Sequence, residues 1–332
     1  MNITDLITNV AILFLMMIPG VILKKCKLIG DGFGKGISNL VLYIAQPCLI
    51  FLAYVRPFDK SVLLNSLWVL LFSLIAHVIF SAAALVLYKK APDSAKRMLR
   101  FATIFSNAAF MGIPLIAAVI ESPSALIYAS VYNITFNLFL WTLGVYICTG
   151  DRDLDNDGDV DFDDVKIRKK HSEASLKKAL LHPVTLAAAL GLLFFLSPLD
   201  AYLSKAAVLM DGLEMLKNLV APLSMIVIGI RLADIDFRGF FTDKNLYVFL
   251  ALRHLILPLA VAGVCKLLML TGVIDSNVYL VTVIMASAPA ASSATMFAEK
   301  YDCDAAYVSK LVSVSTILSI ATMPLVLMIA TL

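Results

Sequence analysis

Two strings of small and polar residues built around a proline carry the most chemical information in this sequence. One is FSNAAFMGIPLIAAV at 105–119, and the other is IMASAPAASSATMF at 284–297. Both lie inside long apolar runs. Proline removes one backbone donor and clashes with the preceding turn, and small neighbours let the chain unwind and another helix come close. A helix interrupted within a membrane presents N–H groups of partial positive charge at the start of its second half, and these attract anions. The candidate contacts to such an anion are Asn107, Gly112 and Pro114 in the first string, and Ser287, Pro289, Ser292 and Ser293 in the second. Either proline alone reads as an ordinary kink in a packed helix. The matched pair reads as a binding site, because interrupted segments at corresponding places in two halves of a chain mark one.

Other polar residues interrupt apolar runs. Arg253 stands beside His254. An arginine in a membrane must face a cavity or a partner, so it is either a counter-charge for an anionic substrate or a hydrogen-bonding partner of helix-end carbonyls or a carboxylate. Asn133 and Asn137, at i, i+4 spacing, either line the same cavity or join helices. His77 has the chemistry of a proton carrier, and equally that of a structural hydrogen-bonding group.

A third string is acidic. DLDNDGDVDFDD at 153–164 matches the twelve-residue calcium loop, with oxygen ligands at positions 1, 3, 5, 7, 9 and 12 and glycine at 6. The expected metal ligands are Asp153, Asp155, Asp157, Asp159 through its carbonyl, Asp161 through water, and Asp164; Gly158 is sixth and Val160 eighth. The aspartate at position 12 resembles dockerin-type loops, and its short reach suits Mg2+ as well as Ca2+. The alternative is a solvated acidic linker. No nucleophile–base pattern, Walker loop, HExxH or GxGxxG is present, so no enzyme is expected. Five scattered cysteines without CxxC spacing give neither a disulfide framework nor a zinc site.

The elements that must position these residues are membrane helices. Hydrophobic residues make up 61% of the 332 and charged residues 15%, against about half and one quarter in soluble domains; mean hydropathy is +0.90. Apolar runs lie near 7–23, 37–55, 62–88, 101–121, 125–148, 180–198, 212–230, 246–270, 277–297 and 305–331, which is about ten spans of roughly 20 residues each. The N-terminus lacks the positive region of a signal peptide. Lysines and arginines concentrate in alternate loops, at 24–35, 89–100, 166–178, 238–244 and 300. The positive side is cytoplasmic, so both termini are expected outside a plasma membrane and the 150–179 loop inside. The net charge of +3 gives no reason to expect a nucleic acid partner.

The sequence also repeats. AQPCLIFLAYVR at 45–56 resembles VAPLSMIVIGIR at 220–231, pairing Pro47 with Pro222, 175 residues apart; Pro114 and Pro289 are separated by the same interval. Segments 1–149 and 180–332 then form two five-helix copies around the 150–179 loop. An odd number of helices per copy inverts the second, as in many secondary transporters.

At this point NAAFMGIPL resembles the N-x-x-F-x-G-x-P motif of the auxin efflux carrier family, which includes plant auxin exporters. HPVTLAAALGLL (182–193) resembles that family's N-P-x-x-x-A segment with His182 in place of asparagine. VYNITFNLFLWTLGVYI (131–147) and LRHLILPL (252–259) are similar to its fifth and eighth spans. The resemblance implies an all-α membrane fold of ten helices in two inverted repeats, with broken spans four and nine crossing at their prolines beside the substrate. It implies a scaffold of spans 1, 2, 6 and 7, through which a homodimer would form, and a moving domain of spans 3–5 and 8–10. The function it implies is secondary transport of a small organic anion, such as an auxin-like carboxylate or a dicarboxylate. Two alternatives stand beside it: a sodium-coupled symporter of the related bile-acid type, and a non-transporting sensor whose output module is the calcium loop.

Overall fold

The computed structural model of the chain describes residues 3–149, 177, 180–203, 205–233 and 243–331. Among these residues the structure is helical and has no named strand. In chain order the helices are α1 (Thr8–Lys25), α2 (Phe33–Tyr54), α3 (Lys60–Leu87), α4 (Asp93–Ile104), α5 (Ala108–Val119), α6 (Pro123–Thr149), α7 (Pro183–Phe195), α8 (Ala207–Ala233), α9 (Lys244–Leu270), α10 (Ser276–Ser287), α11 (Ser293–Lys300) and α12 (Ala305–Thr331). Seven of them, α1, α2, α3, α6, α8, α9 and α12, are long and apolar enough to cross a membrane; α5, α7 and α10 are apolar but shorter. The chain is a multi-pass membrane protein.

Local sequence explains where the helices deform. Widened π-helical turns occupy Val41–Ala45, Ala108–Gly112 and Leu252–Ile256. Each of these three ends two residues before a proline, Pro47, Pro114 and Pro258, whereas a fourth such turn at Leu140–Gly144 has no proline behind it. A proline ring collides with the carbonyl four residues back, here that of Tyr43, Phe110 or His254. Lengthening that turn to i→i+5 bonding moves the carbonyl aside. Helix starts are capped in the ordinary way. Asp59 accepts from the Ser61 hydroxyl and N–H at 2.6 and 2.8 Å, Asp275 accepts from Val278 N–H at 2.7 Å, and His182 Nδ1 accepts from Val184 N–H at 3.4 Å. His182 thus performs at α7 the capping that asparagine commonly performs.

Glycines set the closest helix approaches. A Cβ on Gly20 of α1 would lie 2.2 Å from the Ile226 carbonyl oxygen of α8, and one on Gly229 of α8 would lie 2.0 Å from that of Met17. The two backbones therefore touch. Gly191 of α7 admits the Tyr54 side chain of α2 in the same way, at 2.9 Å.

The loops sort to two ends. At one, Asn65 Nδ2 and Tyr128 OH donate to Asp275 Oδ2 at 2.7 and 3.3 Å, joining the starts of α3, α6 and α10. At the other, Tyr307 OH donates to Asp243 Oδ2 at 2.5 Å and Cys303 Sγ to the Cys148 carbonyl at 3.4 Å.

Two expectations need correction. The span expected at 101–121 is interrupted, but the chain breaks at Phe105–Asn107 rather than at Pro114. Pro114 lies beyond the break, buried in the first turn of the α-helical stretch Ile113–Val119. The spacing of the halves also changes along the chain. α2 and α8 start at Phe33 and Ala207, 174 residues apart, but α3 and α9 start at Lys60 and Lys244, 184 apart. α6 and α12 start at Pro123 and Ala305, 182 apart. A longer α8 and a longer α8–α9 connection cause the drift. The interval of 175 that separates Pro114 from Pro289 is therefore not kept by the helix starts further along the chain.

Candidate functional site

α4 and α10 each end in a short extended stretch, and the two stretches meet. Ser106 and Ala290 form an antiparallel bridge. Asn107 N–H donates to Pro289 O at 2.7 Å, and Ala291 N–H donates to Phe105 O at 2.8 Å. The pairing satisfies backbone groups that the breaks would otherwise strand in an apolar interior. It also explains a break without proline on the α4 side: the partner segment supplies the bonds that a helix would have made.

Beyond the breaks, α5 and α11 begin. Asn107 carbonyl accepts from Met111 and Gly112 N–H, both at 3.1 Å. The buried Asn107 side chain accepts from the Ser292 hydroxyl at 3.5 Å, and among the described residues its amide nitrogen makes no hydrogen bond. Gly112 lets α5 press against α10, since a Cβ there would lie 2.7 Å from Met285 Sδ. Pro289 sits in the break, and half-buried Ser292 and Ser293 open α11. These residues lie together. Ser287 does not serve as a free donor, because its hydroxyl bonds the Ile284 carbonyl of its own helix at 3.1 Å. Asn137 Nδ2 is likewise spent on the Asn133 carbonyl within α6, at 2.9 Å. His77 packs on that helix, its ring centroid 4.9 Å from Phe139 and 5.7 Å from Tyr132, with Nδ1 donating to Ser73 O at 2.7 Å.

Of the two readings of Arg253, the structure shows hydrogen bonding to helix-end carbonyls. Its side chain is wholly buried. Nη1 donates to Thr103 O, in the last turn of α4, at 3.3 Å, and Nη2 donates to Ala288 O, at the end of α10. The guanidinium lies over the Phe80 ring at 5.1 Å. Neighbouring His254 supports the other side of the crossing. Ala290 N–H donates to Ser315 Oγ at 2.9 Å, Ser315 meets His254 Nε2 at 2.8 Å, and His254 Nδ1 meets Thr322 Oγ1 at 2.9 Å. Thr322 donates onward to Leu318 O at 3.1 Å. In the neutral ring this chain places the proton on Nδ1.

Sequence reading missed Gln46, Ser315 and Thr322. Gln46 Nε2 donates to Ala109 O at the start of α5. Its signal was available: a buried amide beside Pro47 inside an apolar run. Ser315 and Thr322 carried none, since hydroxyls in membrane helices usually bond their own backbone. The acidic string 153–164 lies outside the described residues. Among the described residues no group of three His, Cys, Asp or Glu could hold a metal ion.

A helical membrane chain with two interrupted helices paired backbone to backbone has the build of a transporter. A family model described as a membrane transport protein matches residues 5–327. The chain belongs to that family, the auxin efflux carriers. It is 28% identical over 327 residues to a protein of Methanothermobacter thermautotrophicus described as an uncharacterized transporter, covering 98% of this chain and 97% of that one.

Proposed function

We propose that this membrane transporter is a secondary carrier of a small organic anion, bound where the two breaks pair. The observation that carries this reading is the crossing itself. The N-termini of α5 and α11 begin there, next to an Asn107 amide that has no partner among the described residues. Helix N-termini favour negative charge. The helix boundaries support two five-helix copies, the second inverted, with α4–α5 and α10–α11 as the broken spans. The density of lysine and arginine supports external termini.

The way the helices hold one another supports alternating access. α1, α2, α7 and α8 are locked by glycine contacts and make the scaffold. α3–α6 and α9–α12 move against it as a unit that carries the crossing. The test is uptake of radiolabelled mono- and dicarboxylates into proteoliposomes. Saturable uptake of at least one of them is expected, and binding without uptake would favour a sensor.

We propose in addition that Asp153, Asp155, Asp157, Asp159, Asp161 and Asp164 hold Ca2+ or Mg2+ on the cytoplasmic side, from ligand spacing alone. Calorimetry on the intact protein should detect calcium binding that Asp153→Ala combined with Asp157→Ala removes. Unchanged binding in the double variant would make the spacing accidental.

A further inference from the structure

We propose that the Arg253 guanidinium is a tethered cation in the place a coupling metal ion would take, so that the carrier binds its anion without sodium or another alkali cation. The inference rests on reading the crossing as the carrier's binding centre.

The last carbonyls of a helix lack intrahelical partners and together carry about half a negative charge. At this crossing two such ends, those of α4 and α10, converge. In transporters with broken helices, half-helix C-termini and unwound carbonyls are what coordinate a coupling cation. Here the corresponding oxygens are taken. Arg253 reaches Thr103 O with one nitrogen and Ala288 O with another. No ion pair to Arg253 occurs among the described residues, so carbonyl dipoles and the Phe80 ring are what balance it. A metal ion drawn to the same oxygens would meet a permanent positive charge a few ångströms away, in surroundings where like charges repel strongly. One donor is left over. Nε is buried and has no hydrogen-bond partner among the described residues, so the carbonyls do not exhaust the guanidinium, and positive charge remains at the crossing for an anion.

The experiment compares thermal unfolding of the full-length protein in sodium, potassium, lithium and N-methylglucamine buffers. It then compares Arg253→Lys with Arg253→Met, each with and without low-millimolar guanidinium, far below denaturing concentrations. The wild-type Tm should be the same in all four buffers. Arg253→Met should lose several degrees and regain most of the loss in guanidinium or an alkali cation, while Arg253→Lys, which keeps the charge, should lose less. A saturable rise of the wild-type Tm with sodium overturns the proposal. So do Lys and Met variants that are equally destabilised with no recovery in any cation, because shape and not charge is then what the crossing requires. If Arg253→Met does not accumulate, the wild-type comparison decides alone. Missing carboxylate uptake with this stability pattern intact would instead count against the carrier reading.

Discussion

Gly229→Ala is expected to abolish or nearly abolish accumulation of folded protein, with Gly20→Ala close behind. The obstacles are backbone atoms: the Met17 carbonyl oxygen 2.0 Å from a Cβ at Gly229, and the Ile226 oxygen 2.2 Å from one at Gly20. No side chain can rotate out of the way, so α1 and α8 must part by an ångström or more along their contact. Helix association in a bilayer depends on close packing rather than on a hydrophobic drive, so separation removes what holds this pair. Overpacking commonly costs about 1–3 kcal/mol, and two rigid backbones belong at or above the upper end. Gly263→Ala is the control: nothing lies within 4 Å of a Cβ there, and alanine in an exposed helical position should be neutral or stabilising by up to about 1 kcal/mol. Fluorescence-detected size exclusion after heating reads both. An unchanged Tm for Gly229→Ala would mean that α1 and α8 do not touch, and the rigid scaffold would go with that contact.

Asn107→Ala is expected to weaken substrate binding by tenfold to more than a hundredfold while leaving Tm nearly unchanged. A hydrogen bond to a charged group is worth about 1.5–3 kcal/mol, which gives that range in affinity. Stability should barely respond, because among the described residues the side chain's one hydrogen bond is the long 3.5 Å contact with Ser292. The bonds that hold the crossing come from the Asn107 backbone, which alanine preserves. Titration calorimetry with a carboxylate that is taken up measures the first effect and a thermal melt the second. Ser287→Ala should change affinity little, its hydroxyl being held by Ile284 O. A larger loss of stability than of binding in Asn107→Ala would make Asn107 a structural residue.

The sequence carried the helices well, because a run of apolar residues long enough to span is a local property. It carried the neighbourhood of the site for the same reason: small residues, proline and isolated amides cluster there. What it could not carry was the position of the first break. Pro114 marked the segment, yet the chain leaves the helix at Phe105–Asn107, where no residue forbids helix. The cause is the distant stretch Ala288–Ser292, which offers alternative backbone partners. Arg253 is a similar case. Its type and depth required a partner, but Thr103 O and Ala288 O became identifiable only once the ends of α4 and α10 were located. The interval of 175 residues is not kept by the helix starts further along, because α8 and the α8–α9 connection are longer than α2 and the α2–α3 connection.

On the proposed division into scaffold and moving unit, Gln46 and Tyr54 set the character of the boundary. Between described residues, two hydrogen bonds cross it: Gln46 to Ala109 O, and Tyr54 OH with Ser130 Oγ at 2.8 Å. The rest of that contact is side-chain packing, with Arg231 over the Phe110 ring at 5.8 Å beside it. Such a boundary behaves as a bearing with two catches. Each catch contributes about 1 kcal/mol net, too little to freeze the joint and enough to give it a preferred resting position. If the proposed division holds, travel along such a bearing would cost little until the catches re-engage elsewhere, and the geometry described here would be one stop along it.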